Sequence, residues 1–302
     1  MVAEEHEGLG RSPTALIQCG VQVLLSPCGP MDTDVVVIGG GSAGLQAALS
    51  LGRMRFAVVV VDAGRPSNGP AHLIGGLLGA HELAPHDLLT TGRTQLAELP
   101  SVRLVSGEAA RVDADRSVTL ADGTTLAADA VLLATGMDYT IPEVPGLAEL
   151  WGRSVIHCPF CHGWEVRHAR VGLLAAGEAH AEHLVPLLRR LTADLEVFDA
   201  VTAVRAEDGA LRAVVLPDGS EVPRDVLFVA APTTPRDAAF GHLALEREDG
   251  GRLAVDPFGR TSLPGIYAAG DLVAAAPAVV QALATGQRAA VGITRDLSSA
   301  TP

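Results

Sequence analysis

Hydrophobic positions along this chain gather in short, unbroken runs, the first being Val35-Val36-Val37-Ile38. A β-branched run without polar interruption is what a parallel strand covered on both faces requires. The pattern then changes to a helical one over Ala43 to Arg53 and returns to a strand over Ala57 to Val61. Further strands are predicted at Val102–Val105 and Ser117–Leu120, and Asp122-Gly123 marks a hairpin turn before Ala130–Leu133. Pro142, Pro145 and Gly146 punctuate the chain. A second unit follows, with strand Val171–Ala175, helix Ala181–Leu191 and strand Glu196–Phe198. Pro217-Asp218-Gly219 turns a second hairpin towards Val226–Val229. After about Pro257 come strand Gly265–Ala268 and an alanine-rich helix over Ala278 to Asp296. The repetition is of domain size: two βαβ units, each followed by a β-meander.

Residues 1–30 fit neither unit. They begin acidic (Glu4, Glu5, Glu7), unlike the basic start of a secretory signal, and Pro27-Cys28-Gly29-Pro30 breaks any element before Met31. They read as an extension outside the core fold, which leaves Cys19 and Cys28 without an expected chemical role.

Charge and composition narrow the function. The 302 residues carry a net charge of −13 with no basic run, which argues against nucleic acid and anionic membrane as partners. All 22 basic residues are arginine, so neither a Walker A lysine nor a lysine Schiff base is available. Four cysteines in this length are no disulfide framework, and a reducing, cytoplasmic setting is expected.

Chemistry enters at Gly39-Gly40-Gly41-Ser42-Ala43-Gly44, a G-x-G-x-x-G segment between a strand and a helix, with Asp62 closing the following strand. Gly39 suits the tight turn, Gly41 lets amides approach a pyrophosphate, Gly44 allows close helix packing, and Asp62 can accept from a ribose diol. Ala134-Thr135-Gly136 ends another strand, and Gly265-Ile266-Tyr267-Ala268-Ala269-Gly270-Asp271 puts a carboxylate at a strand tip. Both resemble signatures of the two-dinucleotide flavoprotein reductases, which implies FAD as cofactor. The implied binding set is Gly39, Gly41, Ser42, Ala43, Gly44, Asp62, Thr135, Gly136, Gly270, Asp271 and Gln281.

His157-Cys158-Pro159-Phe160-Cys161-His162-Gly163-Trp164-Glu165 is the most informative segment. C-x-x-C spacing lets two thiols close a small disulfide ring, and a helix start at the second cysteine would lower its pKa. A zinc half-site joined by His157 or His162 is the rival reading, but no cysteine follows to complete it, so no metal is expected. From about Asp34 to Ile293 the order of motifs resembles low-molecular-weight thioredoxin reductase. That resemblance implies an α/β fold of two Rossmann-like, three-layer dinucleotide-binding domains. Residues 31–146 with 254–302 would form a discontinuous FAD-binding domain, and 147–253 an NAD(P)-binding-like domain carrying the cysteine pair. It also implies that Cys161 is the flavin-proximal thiol and Cys158 the interchange thiol.

Two departures redirect the function. Thioredoxin reductases carry an acidic residue directly after the second cysteine; here it is His162, which can act as a base towards a thiol. The second glycine loop is degenerate, Ala175-Ala176-Gly177-Glu178-Ala179-His180, and Asp199 would repel a 2′-phosphate. Both departures resemble the gliotoxin- and holomycin-type dithiol oxidases, which close disulfides in small natural products. The resemblance implies a homodimer, a small-molecule dithiol substrate and O₂ as acceptor. An NAD(P)H-dependent thioredoxin reductase and a flavin-bound redox sensor without turnover are the alternatives.

Overall fold

The computed structural model describes residues 33–80, 82–248 and 250–300. The extension expected at 1–30, with Cys19 and Cys28, lies outside them. The first half of the chain contains β1 (Val35–Ile38), α1 (Ser42–Arg53), β2 (Val58–Asp62), α2 (Pro85–Ala97) and β3 (Val102–Ser106). A meander β4 (Ala109–Val112), β5 (Ser117–Leu120), β6 (Thr125–Ala127) follows, then β7 (Ala130–Leu133) and β8 (Met137–Tyr139). The second half has β9 (Val155–Ile156), the short helix α3 (Pro159–His162), β10 (Val171–Leu174), α4 (Glu178–Leu188) and β11 (Leu195–Phe198). It continues through β12 (Ala203–Glu207), β13 (Ala210–Val215), β14 (Glu221–Pro223), β15 (Val226–Val229) and β16 (Thr233–Pro235), and ends with β17 (Ile266–Ala268) and α5 (Val279–Ala300).

Two parallel sheets result, in the orders β17-β7-β1-β2-β3 and β11-β10-β15-β9. The inner strands β1, β7, β10 and β15 are apolar throughout because both faces are covered, whereas the edge strands β3 and β11 carry Arg103 and Glu196. In the first sheet Val35, Val37, Val58, Val60 and Leu132 pack against α1, α2 and α5. Their neighbours Val36, Ile38, Val59, Val61 and Leu133 pack against Val112, Val118 and Leu120 of the meander. Each fully buried Leu or Val contributes roughly 1.5–3 kcal/mol. The second sheet repeats the plan, with Leu173 and Phe228 towards Leu184 and Leu188 of α4, and Leu227 and Val229 towards Val204 and Val214. Each half is therefore three-layered.

Several predicted boundaries move, most by one residue and three helix ends by more. Helix α4 starts at Glu178 rather than Ala181 because Gly177, at φ 88°, turns the chain directly into it. It stops at Leu188 rather than Leu191; Pro186, lacking an N–H, weakens its last turns. Helix α5 runs on to Ala300, its last turns tied by a two-pronged bond from Arg260 to Asp296, 2.6 Å for each nitrogen–oxygen pair. Strand β8 pairs with β16, Tyr139 opposite Thr233, joining the two halves of the chain.

Candidate active site

The loop between β1 and α1 has the geometry its glycines predicted. Gly39 adopts φ 109°, and a Cβ there would strike the Ala134 carbonyl. A Cβ on Gly44 would strike the Gly39 carbonyl, so this glycine seats α1 against the loop. A Cβ on Gly41 would meet no atom of the described residues within 4 Å, because Gly41 faces a cavity. Asp62 is held by three donors: the amides of Gly40 (3.2 Å) and Gly64 (3.1 Å) to Oδ1, and Arg93 (2.8 Å) to Oδ2. Gly40, which the motif leaves unspecified, is needed because a Cβ there would lie 2.5 Å from the Asp62 Cγ.

That cavity measures about 560 Å³ and runs from the glycine loop and Asp62, past Thr135, Gly136, Gly270 and Asp271, to Cys161 and His162. Ser42 and Ala43 also line it. Of the cofactor set, two residues do not. Gly44 acts by packing, as above, while Gln281 is exposed on the first turn of α5, and its carbonyl accepts from Thr285. Burial pushes the Asp271 carboxyl up from its ordinary value, with the Arg236 guanidinium opposing. Tyr139, also on the wall, is pushed up to about 12 by burial and by the Asp271 charge.

At the far end Cys158 and Cys161 are joined as a disulfide, Cα atoms 5.3 Å apart. The helical turn begins one residue after Cys158, with Pro159 in the first helical position, so the first cysteine rather than the second sits at its N-cap. This corrects the expected helix start; the pyrrolidine ring fixes the dihedral a turn needs, and Pro159 precedes Cys161. The amides of Cys161 and His162 both donate to the Cys158 carbonyl, at 3.3 and 3.2 Å. Cys161 lines the cavity and Cys158 does not.

Two imidazoles flank the pair. His157 stacks on Trp151 (centroids 5.3 Å, planes 17° apart) and tilts against Tyr139 at 4.7 Å. Burial, and then His162, push its pKa down to about 4. His162 is lowered too, chiefly by burial, with Glu165 opposing and His72 adding to the fall. Both of its ring nitrogens are shielded from solvent and have no hydrogen-bond partner among the described residues, although the residue lines the cavity. A neutral imidazole so placed can accept a proton from a group entering the cavity.

The degenerate loop between β10 and α4 is closed on itself. The Ala176 amide donates to His180 Nδ1 at 3.2 Å, Glu178 occupies the first turn of α4, and Asp199 is exposed. Sequence reasoning missed Gly75, Arg93, Tyr139 and Arg236. A Cβ on Gly75 would strike the Cys161 carbonyl, and Arg236 bonds Asp138 (2.6 Å) and the Arg65 carbonyl (2.5 Å) on the cavity wall. The one available signal was Gly75-Gly76, a glycine pair in an otherwise unassigned loop. Among the described residues no group of three or more His, Cys, Asp or Glu side chains is placed to hold a metal, and no helix is long and apolar enough to cross a membrane.

A glycine-loop cavity ending on a cysteine pair defines a disulfide oxidoreductase, and the chain belongs to the pyridine nucleotide-disulphide oxidoreductase family, matched over residues 33–185 and 168–289. Thioredoxin reductase tcpT of Claviceps purpurea (strain 20.1) is 32% identical over 307 residues, covering 88% of this chain and 95% of its own. Thioredoxin reductase aclD of Aspergillus oryzae is 32% identical over 310 residues, covering 88% and 96%. The crystal structure of HlmI superposes with a TM-score of 0.84 at 34% identity, over 89% of this chain and 93% of that one. The protein is thus a thioredoxin-reductase-like flavoprotein oxidoreductase with a redox disulfide.

Proposed function

We propose that the protein is an FAD-dependent dithiol oxidase that closes an intramolecular disulfide in a small-molecule dithiol, acts as a homodimer and passes electrons to O₂. The carrying observation is that Cys161 and a neutral His162, unpartnered among the described residues, line the same cavity as the Gly41 loop, Asp62 and Asp271. FAD fits the residues present. Gly41 leaves room for the pyrophosphate at the start of α1, Asp62 is fixed to accept from the adenosine ribose, and Asp271 can accept from the ribityl chain. Residues 31–146 and 254–302 would form the cofactor domain, and 147–253 the domain carrying the cysteines.

The substrate dithiol gives up two electrons and two protons. His162 takes the proton of the first thiol, and the thiolate attacks Cys158 Sγ, breaking the Cys158–Cys161 bond and releasing Cys161 as a thiolate. The second substrate thiol attacks the substrate sulfur of the mixed disulfide, its proton passing to the departing Cys158 sulfur. The product disulfide forms and Cys158 leaves with the bonding pair. Re-forming the Cys158–Cys161 disulfide from the two reduced sulfurs gives up the electron pair. FAD held by the Gly41 loop, Asp62 and Asp271 would supply the two-electron acceptor, and O₂, taking the pair with the two substrate protons, would leave as hydrogen peroxide. Access supports this assignment of roles, since of the two cysteines Cys161 lines the cavity and Cys158 does not.

Purified protein, supplied with a simple dithiol in air, is expected to consume O₂ and form one hydrogen peroxide per disulfide. It is also expected to release FAD on heat denaturation. Release of FMN or of no flavin, or dithiol oxidation dependent on added NADPH, would contradict the proposal.

A further inference from the structure

The two glycine-type loops of this chain can be compared position by position, because each joins a parallel strand to a helix. Gly39, Gly40, Gly41, Ser42, Ala43 and Gly44 correspond to Ala175, Ala176, Gly177, Glu178, Ala179 and His180, with Gly41 and Gly177 as the two N-caps. Asp62 ends the next strand in the first unit, and Asp199 follows the equivalent strand in the second.

In the first loop the Gly40 amide donates to Asp62 Oδ1, which fixes the carboxylate that faces the cavity. In the second, the equivalent amide, that of Ala176, is committed to His180 Nδ1 at 3.2 Å. His180 occupies the third helical position and reaches back past the N-cap to make this bond, much as a capping-box side chain does. The corresponding residue of the first loop is Gly44, where even a Cβ would strike the loop. An imidazole therefore stands where the first unit has no side chain. Glu178 adds a carboxylate to the first turn of α4, where Ser42 is neutral.

We infer that His180 is a built-in latch on the second loop: by taking the Ala176 amide it leaves Asp199 unfixed and denies a nicotinamide dinucleotide its binding frame, so that this residue and Glu178 set which electron donor the protein accepts. The inference deepens the oxidase reading, which it explains at the level of single side chains. Once the amide is free, Asp199 can be positioned to accept from a ribose diol but still repels a 2′-phosphate, so the gain belongs to NADH and not to NADPH.

The test is NADH and NADPH binding to the anaerobic holoenzyme, followed by protein fluorescence and by the rate of flavin reduction. Four forms are compared: the unaltered protein, His180→Gly, His180→Asn, and Glu178→Ser combined with His180→Gly. Asparagine presents an acceptor near the place of Nδ1 and is expected to keep the latch shut, as in the unaltered protein. His180→Gly is expected to bind NADH at least about tenfold more tightly, and the double variant more tightly still, with little change for NADPH. Dithiol oxidation by all four forms reports that each is folded and carries its flavin. If the glycine variants oxidise dithiol yet bind NADH no better than the unaltered protein, the latch is refuted while the oxidase reading stands. If the unaltered protein already binds and is rapidly reduced by either nucleotide, both fall.

Discussion

Gly75 and Cys161 meet backbone to backbone, so closely that a Cβ on Gly75 would collide with the Cys161 carbonyl. Its neighbour Gly76, at φ 71°, runs beside the Phe160 carbonyl. A loop between β2 and α2 thereby seats the cysteine turn at the end of the cavity. The redox pair and the glycine-loop site are held in register by glycines that carry no chemistry themselves.

Gly75→Ala is expected to push the turn away from the cavity. Flavin content should stay unchanged, while reduction of the flavin by dithiol slows by up to about 10²-fold, the typical cost of a misplacement near 1 Å. Stopped-flow reduction with a parallel measurement of bound flavin separates the two effects. An unchanged rate would show that the contact is not needed.

The cysteine roles can be read spectroscopically. Cys158→Ser and Cys161→Ser are both expected to abolish dithiol oxidation, because each removes one sulfur of the exchanging disulfide. Only Cys158→Ser leaves a thiolate on the cavity wall. That variant should show long-wavelength absorbance from thiolate beside the flavin at alkaline pH, and Cys161→Ser should lack it. The reverse pattern would exchange the two assignments.

His162 supplies a pH signature. Burial favours its neutral form, so its pKa lies below the ordinary value of about 6.5. A base is active when unprotonated; its advantage is therefore retained as pH falls through about 6.5 and lost only further into the acid range. His162→Ala is expected to slow dithiol-dependent flavin reduction by about 10²-fold or more. The ratio of the unaltered to the variant rate should be flat from neutral pH to about 6.5 and shrink below it. A ratio that shrinks as pH rises through neutrality would mean the protonated imidazole is the active form.

Much of this was legible in the sequence because the core strands are written as unbroken β-branched runs. Val35–Ile38, Ala130–Leu133 and Val226–Val229 are strands with the bounds their hydrophobic runs predicted. The glycine loop, Asp62, Asp271 and the cysteine pair were legible for the same local reason: each chemistry needs particular residue types at fixed spacing. Glu178 to His180 looked like loop because a charged residue and a histidine replace the expected small ones, yet Gly177 still turns the chain into α4. Tyr139, Arg93 and Arg236 could not be read, since long-range pairing rather than local pattern brings them to the cavity. Gln281, part of the implied cofactor set, is exposed and is not among the lining residues, although its neighbours Val279 and Ala282 are.

The direction of electron flow is the central claim, and anaerobic stopped-flow reduction of the flavin tests it most directly. One sample is mixed with a small-molecule dithiol and another with NADPH. With Ala176 held by His180, Glu178 in the first turn and Asp199 opposing a 2′-phosphate, NADPH is expected to reduce the flavin slowly and without saturation. The dithiol should reduce it completely, with one hydrogen peroxide formed per flavin when air is admitted. Rapid, stoichiometric reduction by NADPH would contradict the account and make the protein a reductase.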